Sequence, residues 1–232
     1  MSVPTLSVII PVLNEATGIE AALTALSSYR SHGVELIVVD GGSSDNTVAL
    51  AGPLSDKVIA APRGRAAQMN AGAAVANGEI FLFLHADTRL PDEADALIRD
   101  GLARSAFAWG RFNVRFDAGG LFSLVALLMN LRSRLTGIAT GDQAIFVTRL
   151  AFDSVGGFPP IALMEDVALS ARIKRISRPL CVRARVTTSA RRWRAHGFLN
   201  TVFLMWRLRL AYFLGADPAR LARRYGYVPA EQ

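Results

Sequence analysis

Apolar positions in the first hundred residues fall into two alternating spacings. Leu6 to Ile10 is a short run rich in β-branched residues, closed by Pro11. Glu35 to Val39 repeats the run ahead of Asp40-Gly41-Gly42. Between them, Ile19, Ala22, Leu23 and Leu26 recur at helical spacing over 17–29, with Thr17 as the expected N-cap. Run, helix and run make a βαβ unit, which pairs its strands in parallel through a right-handed crossover. Asp45-Asn46-Thr47 starts a second short helix, and Val58–Ala60 reads as a third strand. An alanine-rich helix over 64–77 stops at Asn77-Gly78. Glu79 to Leu84 is almost unbroken hydrophobe, the pattern of a strand covered on both faces, and Pro91 opens a helix over 91–103.

Beyond residue 103 the pattern is mixed. Residues 107–116 alternate like a half-exposed strand, 120–135 form an apolar helix, and Ala144–Val147 form a strand. Met164 leads a helix to about Arg175 with Glu165 and Asp166 in its first turn. A long apolar helix over 196–214 is interrupted by Arg207 and Arg209, and Asp217-Pro218 caps a last one. The alternation predicts a doubly wound α/β sheet, in which ligands sit at the carboxyl ends of the strands. Glu15, Asp40 and Asp87 fall just past three such ends. With no repeat, linker or low-complexity tract, the expectation is one domain over 1–195 carrying a helical extension over 196–232.

Composition narrows the classes. Hydrophobic residues at 51% against 19% charged exclude a disordered chain. The net charge of +7 conceals a split: −5 over residues 1–171 and +12 from Arg172 onward. Such a basic end suits a membrane surface, a phosphate-bearing substrate or nucleic acid. The lone Cys181 allows neither an internal disulfide nor a thiolate metal cluster. No basic segment precedes an apolar core at the start. The longest apolar runs, Gly119–Leu131 and Phe198–Trp206, fall short of the roughly 20 residues that cross a bilayer. A cytoplasmic protein, or one peripheral to the inner face of the cell membrane, is expected. P-loop, dinucleotide and nucleophile-elbow motifs are absent, which weakens kinase, dehydrogenase and hydrolase readings.

Several acids and arginines have both a chemical and an ordinary structural reading. Asp40 opens a turn, or accepts hydrogen bonds from a base or ribose. Asp87 ends an apolar strand, where it caps the next helix or offers a hard oxygen to Mg²⁺ or Mn²⁺. His85 points the same way, two residues earlier. Glu165 and Asp166 complement a helix dipole, or act as a general base beside a Gly/Pro loop. Arg63 and Arg65 flank Gly64 before a helix, a place for phosphate. Arg191-Arg192-Trp193-Arg194 combines guanidinium groups with an aromatic plate.

Four segments in order, Ser7-Val-Ile-Ile-Pro-Val-Leu-Asn-Glu15, Glu35-Leu-Ile-Val-Val-Asp-Gly-Gly-Ser-Ser-Asp-Asn-Thr47, Phe83-Leu-His-Ala-Asp-Thr88 and Met164-Glu-Asp-Val167, resemble the signatures of family 2 glycosyltransferases with the GT-A fold. That fold is Rossmann-like, with a mainly parallel central sheet flanked by helices. Trp109-Gly-Arg-Phe112, Gly141-Asp-Gln-Ala-Ile-Phe146 and Thr188-Ser-Ala-Arg-Arg-Trp193 are similar to a compact subgroup associated with arsenosugar biosynthesis. The resemblance implies a nucleotide-diphosphate sugar donor held by Pro11, Asn14, Glu15, Asp40, Arg65, Asn70 and Asp87. It implies Mn²⁺ or Mg²⁺ at Asp87, a catalytic base at Asp166, and Asp142, Glu165, Arg192 and Trp193 on the acceptor side. The acceptor is then a small molecule or lipid-linked, nucleic acid drops out, and a homodimer stays open. Two departures bear on this. His85 stands where the family's D-x-D motif has its first acid, and Ser189 replaces the Gln of Q-x-x-R-W. The latter, with no spanning helix, argues for one sugar per encounter instead of processive synthesis. Two other readings remain: a membrane-surface interaction protein on a degenerate transferase core, and a nucleotidyltransferase of the same fold.

Overall fold

The computed structural model describes residues 5–103 and 106–227. Its elements, in chain order, are β1 (Leu6–Val12), α1 (Ile19–Thr24), α2 (Ser27–Ser31), β2 (Glu35–Asp40), α3 (Thr47–Ala51), β3 (Lys57–Ala60), α4 (Arg65–Val75) and β4 (Ile80–Phe83). Then follow β5 (Thr88–Arg89), α5 (Ala94–Ala103), β6 (Trp109–Phe116), α6 (Leu121–Thr136), β7 (Phe146–Thr148), α7 (Arg149–Ser154) and α8 (Glu165–Ile173). The chain continues through β8 (Leu180–Thr188), α9 (Arg191–His196), α10 (Phe198–Phe213) and α11 (Pro218–Arg224).

Eight strands make one sheet in the order β3-β2-β1-β4-β7-β6-β8-β5. The first four run parallel, β7 is antiparallel to both neighbours, and β6 and β8 are parallel again. This is the mainly parallel GT-A sheet expected from the alternating runs. Alternation along β1 divides the core. Val8 and Ile10 face the layer with Leu23, Leu36 and Leu82, while Ile9 faces the layer with Ile37, Phe81 and Phe83. Each fully buried side chain of this kind contributes about 1.5–3 kcal/mol.

Four expectations need correction. Pro11 does not end β1, which runs to Val12 and pairs Pro11 with Val39. Hydrogen bonds from β1 alternate sides: the Ile9 carbonyl serves β4, through Leu84, and the Val12 carbonyl serves the β2 side, through Gly41. Position 11 therefore faces β4 where pairing has already stopped at Ile9–Phe83, so its missing N–H costs nothing. The helix over 17–29 is broken into α1 and α2, and Gly18 rather than Thr17 is the N-cap, without a side-chain bond. The helix over 196–214 is preceded by α9 and bent at Gly197, whose φ of 81° favours glycine. Strand β8 was not anticipated, because arginines alternate through it and all its side chains but Val186 and Thr188 are half-buried or exposed.

Helix α4 lies close against β1 and β2. A Cβ at Gly72 would overlap the Ile9 Cγ2 methyl and stand 3.0 Å from Val39 Cγ2. That approach aims the N-terminus of α4, with Arg65, over the carboxyl ends of the parallel strands. At the far side α10 and α11 pack on α8 through Met164, Val167, Leu208, Leu221 and Ala222.

Candidate functional site

A cavity of about 380 Å³ opens at the carboxyl ends of β1 and β4. Pro11 and Glu15 line it from β1 and the following loop, Arg65 from α4, and His85 and Asp87 from the segment after β4. Asp142, Glu165 and Asp166 form the opposite wall, and Trp193 closes one side. These predicted residues, distant in sequence, are thus brought together.

The carboxylates of Glu165 and Asp166 are the electrostatic centre. Met164 enters α8 with φ 70°, turning both acids into the cavity instead of toward solvent. Asp166 Oδ2 accepts the Gly141 N–H at 2.8 Å and Oδ1 accepts the Val167 N–H at 2.7 Å. Burial raises the Asp166 carboxyl, opposed by those two amides. Glu165 is only 5% exposed. Burial first, and the adjacent Asp166 charge next, push it up to about 7 against the pull of Arg65. The two acids titrate as a pair, and the amides aimed at Asp166 place the pair's negative charge there. Arg65 answers them: burial works to lower it, but Glu165, Tyr225, Asp142 and Asp166 together hold its guanidinium above the ordinary range.

The metal side is sparser. Asp87 is exposed at the cavity wall, with its backbone carbonyl bonded by the Ser189 N–H at 3.2 Å. His85 Nδ1 lies 3.5 Å from Asp142 Oδ1, and its ring presses on Gly141, where a Cβ would come within 2.5 Å of it. Among the described residues, no group of three His, Cys, Asp or Glu converges on one point. One hard carboxylate with a histidine nearby fits a Mg²⁺- or Mn²⁺-like ion whose remaining ligands are phosphate oxygens and water.

Three predicted donor residues lie elsewhere. Asp40 is buried, its carboxylate accepting the N–H of Gly42 and the N–H and hydroxyl of Ser43. Asn14, at φ 54°, accepts the Ser44 N–H at 2.8 Å and donates its own N–H to Ser43 Oγ at 2.9 Å. Together they lock the loops after β1 and β2, and neither lines the cavity. Asn70 is also outside it. Its amide exchanges two 2.9 Å hydrogen bonds with the Phe158 backbone, which consumes both ends. Trp193 stands in an aromatic cluster with Phe116, Phe122 and Phe198. The side chain of Arg192 lies outside the described residues.

The C-terminal helices add residues that the sequence did not single out for the site. Thr201, Met205 and Arg209 from α10, with Tyr225 and Tyr227 after α11, line the same cavity. Arg209 Nη2 is buried there without a hydrogen-bond partner among the described residues. Arg63 stacks over the Tyr227 ring at 5.9 Å. Only the arginines inside an apolar helix hinted at such a role.

Comparison with known proteins agrees with this architecture. A family model described as glycosyl transferase family 2 matches residues 7–149. The PGL/p-HBAD biosynthesis glycosyltransferase Rv2957 of Mycobacterium tuberculosis is 33% identical over 173 residues, covering 68% of this chain and 64% of its own length. The probable glycosyltransferase YdaM of Bacillus subtilis is 28% identical over 195 residues, covering 73% of this chain and 46% of its own length. The chain thus spans less than two thirds of these relatives. Among solved structures, mannosyltransferase PcManGT from Pyrobaculum calidifontis, in complex with GDP-Man and Mn²⁺, superposes with a TM-score of 0.64 at 22% identity. It covers 98% of this chain and 70% of the other. S. aureus TarS with UDP-GlcNAc gives 0.65 at 18%, covering 80% and 58%. The ordered motifs, the matching family model and the 33% relative agree: the chain belongs to the family 2 glycosyltransferases, with the GT-A fold.

Proposed function

We propose that the protein transfers a single sugar from a nucleoside-diphosphate sugar to a hydroxyl acceptor, with inversion at the anomeric carbon. The observation that carries this reading is the buried acid pair at the start of α8, facing Arg65 and Asp87 across one cavity. Asp166 is the base. Its two oxygens each receive one backbone N–H, which orients the carboxylate and leaves lone pairs for an acceptor hydroxyl. The proton leaves that hydroxyl for Asp166 as its oxygen attacks the anomeric carbon, and the carbon–oxygen bond to the diphosphate breaks on the opposite face. In-line attack from the side opposite the leaving group gives inversion.

Arg65 faces the charge that develops on the departing diphosphate, and a preorganised cation there stabilises the transition state more than the ground state. Asp87, with His85 beside it, would hold a divalent ion, which neutralises the same oxygens when bound. Pro11 and Glu15 border the nucleoside end, while Asp40 and Asn14 act by fixing the loops beneath it. Complexes of the structural neighbours with GDP-Man, Mn²⁺ and UDP-GlcNAc support the donor class.

The test is Asp166→Asn in an assay of sugar transfer paired with calorimetric titration of the donor. Turnover should fall roughly 10²–10⁴-fold while donor affinity stays within a factor of a few. A variant that keeps most of its turnover would remove Asp166 from the chemistry.

A further inference from the structure

Helices α6 and α10 each present an apolar stripe to the outside. On α6, Leu121, Leu124, Leu128, Leu131 and Leu135 follow a 3-4-3-4 spacing and are 47–76% exposed. On α10, Phe203, Trp206, Leu210 and Phe213 follow a 3-4-3 spacing and are 61–67% exposed. The opposite sides of both helices are satisfied. Phe122, Val125, Ala126 and Met129 of α6 pack on the sheet core, and Leu204, Leu208 and Ala211 of α10 pack against α8 and α11. The two helices start side by side, with the rings of Phe122 and Phe198 5.1 Å apart.

Charge decides what meets these stripes. At about 100° per residue, the exposed Arg134 falls on an edge of the α6 stripe and the exposed Arg207 on an edge of the α10 stripe, while Arg132 and Arg209 turn guanidinium nitrogens inward. No acid occurs from Ala118 to Gly141, and from Val167 to Ala216 there are 11 basic residues and none acidic. Pairing with a second copy through such seams would set arginine against arginine with no carboxylate to answer it. An anionic lipid surface offers phosphates to the arginines, apolar depth to the leucines, and a headgroup level suited to Trp206. No helix among the described residues is long and apolar enough to cross a membrane, so the contact is with one leaflet.

We infer that the outer faces of α6 and α10 dock the protein on an anionic bilayer surface. Helix α10 also gives Thr201, Met205 and Arg209 to the cavity wall, so docking holds the cavity beside the headgroups. Docking itself stands on the surface alone, while delivery of a membrane-borne acceptor rests on the transfer reading.

Co-flotation of the full chain tests it, using vesicles of phosphatidylcholine alone or with about 30% phosphatidylglycerol. Wild type should float with the anionic vesicles and be released by salt. Leu124→Glu with Leu128→Glu, or Trp206→Glu with Leu210→Glu, should lower partitioning by about 100-fold, with unchanged thermal melts. Acyl-chain bromines should quench wild-type tryptophan fluorescence, and Trp206→Phe should remove that quenching, a readout independent of the charge variants. Wild type left at the bottom, or variants floating equally, overturns the inference. So does a stable dimer that the leucine variants dissociate, since a second copy then covers the stripe. Donor binding measured without vesicles separates this outcome from failure of the transfer reading.

Discussion

Glu165→Gln removes one buried carboxyl while keeping nearly the same shape, and its effect on stability should depend on pH. In the folded protein burial and the Asp166 charge push Glu165 up to about 7, against about 4.5 for an ordinary glutamate. Between those values the folded state binds more proton than the unfolded chain. The stability supplied by the protonated side chain is therefore fully present below about pH 4.5 and is lost as pH rises through 7. A 2.5-unit difference at 1.36 kcal/mol per unit sets the limit at about 3 kcal/mol. Glutamine has no such dependence. The variant should gain roughly 2–3 kcal/mol on wild type between pH 5 and pH 8. Urea unfolding of both proteins at four pH values in that window reads this directly, because groups common to both cancel in the difference. A difference that stays flat with pH would refute the assignment of a raised carboxyl to this position.

Asp87→Ala should abolish the part of donor affinity that depends on Mn²⁺, and calorimetry with and without the ion checks it. Equal metal-free binding in wild type would deny Asp87 that role. Asn70→Ala should cost about 1–3 kcal/mol in urea unfolding through the two orphaned Phe158 groups, with the donor dissociation constant unchanged, since Asn70 does not touch the cavity. Gly72→Ala should destabilise by about 1–3 kcal/mol, because the new methyl overlaps Ile9 in the α4 contact, and thermal unfolding measures it.

The parallel half of the sheet could be read from the chain because its strands are buried on both faces and appear as continuous apolar runs. Leu36 to Val39 and Ile80 to Phe83 show this plainly. Strand β8 could not, because its partners and not its residues make it a strand: Arg183 and Arg185 face outward while Val186 is fully buried. Within the site, Asp87, Arg65 and the Glu165–Asp166 pair were legible because they stand where strands and helices meet. The tertiary bonds of Asn70 to a loop 88 residues away left no local signal. Arg209 and Tyr227 were missed because they reach the cavity only once α10 and α11 have packed on α8.

Strand β5 is two residues long and, among the described residues, pairs only with β8, through Thr88–Thr188 and Arg89–Thr187. The two threonine hydroxyls meet at 3.1 Å across 100 residues of sequence. Asp87 stands immediately before this ladder, and the Ser189 N–H that bonds its carbonyl immediately after. During synthesis β1 to β4 can assemble from the first 83 residues, since their ladders lie within that length. The Asp87 segment gains its β8 partner only when residue 188 has emerged, and closing so long a loop is slow. A ribosome-bound chain halted near residue 160 should therefore hold a folded parallel half whose Asp87 segment is still open to proteolysis.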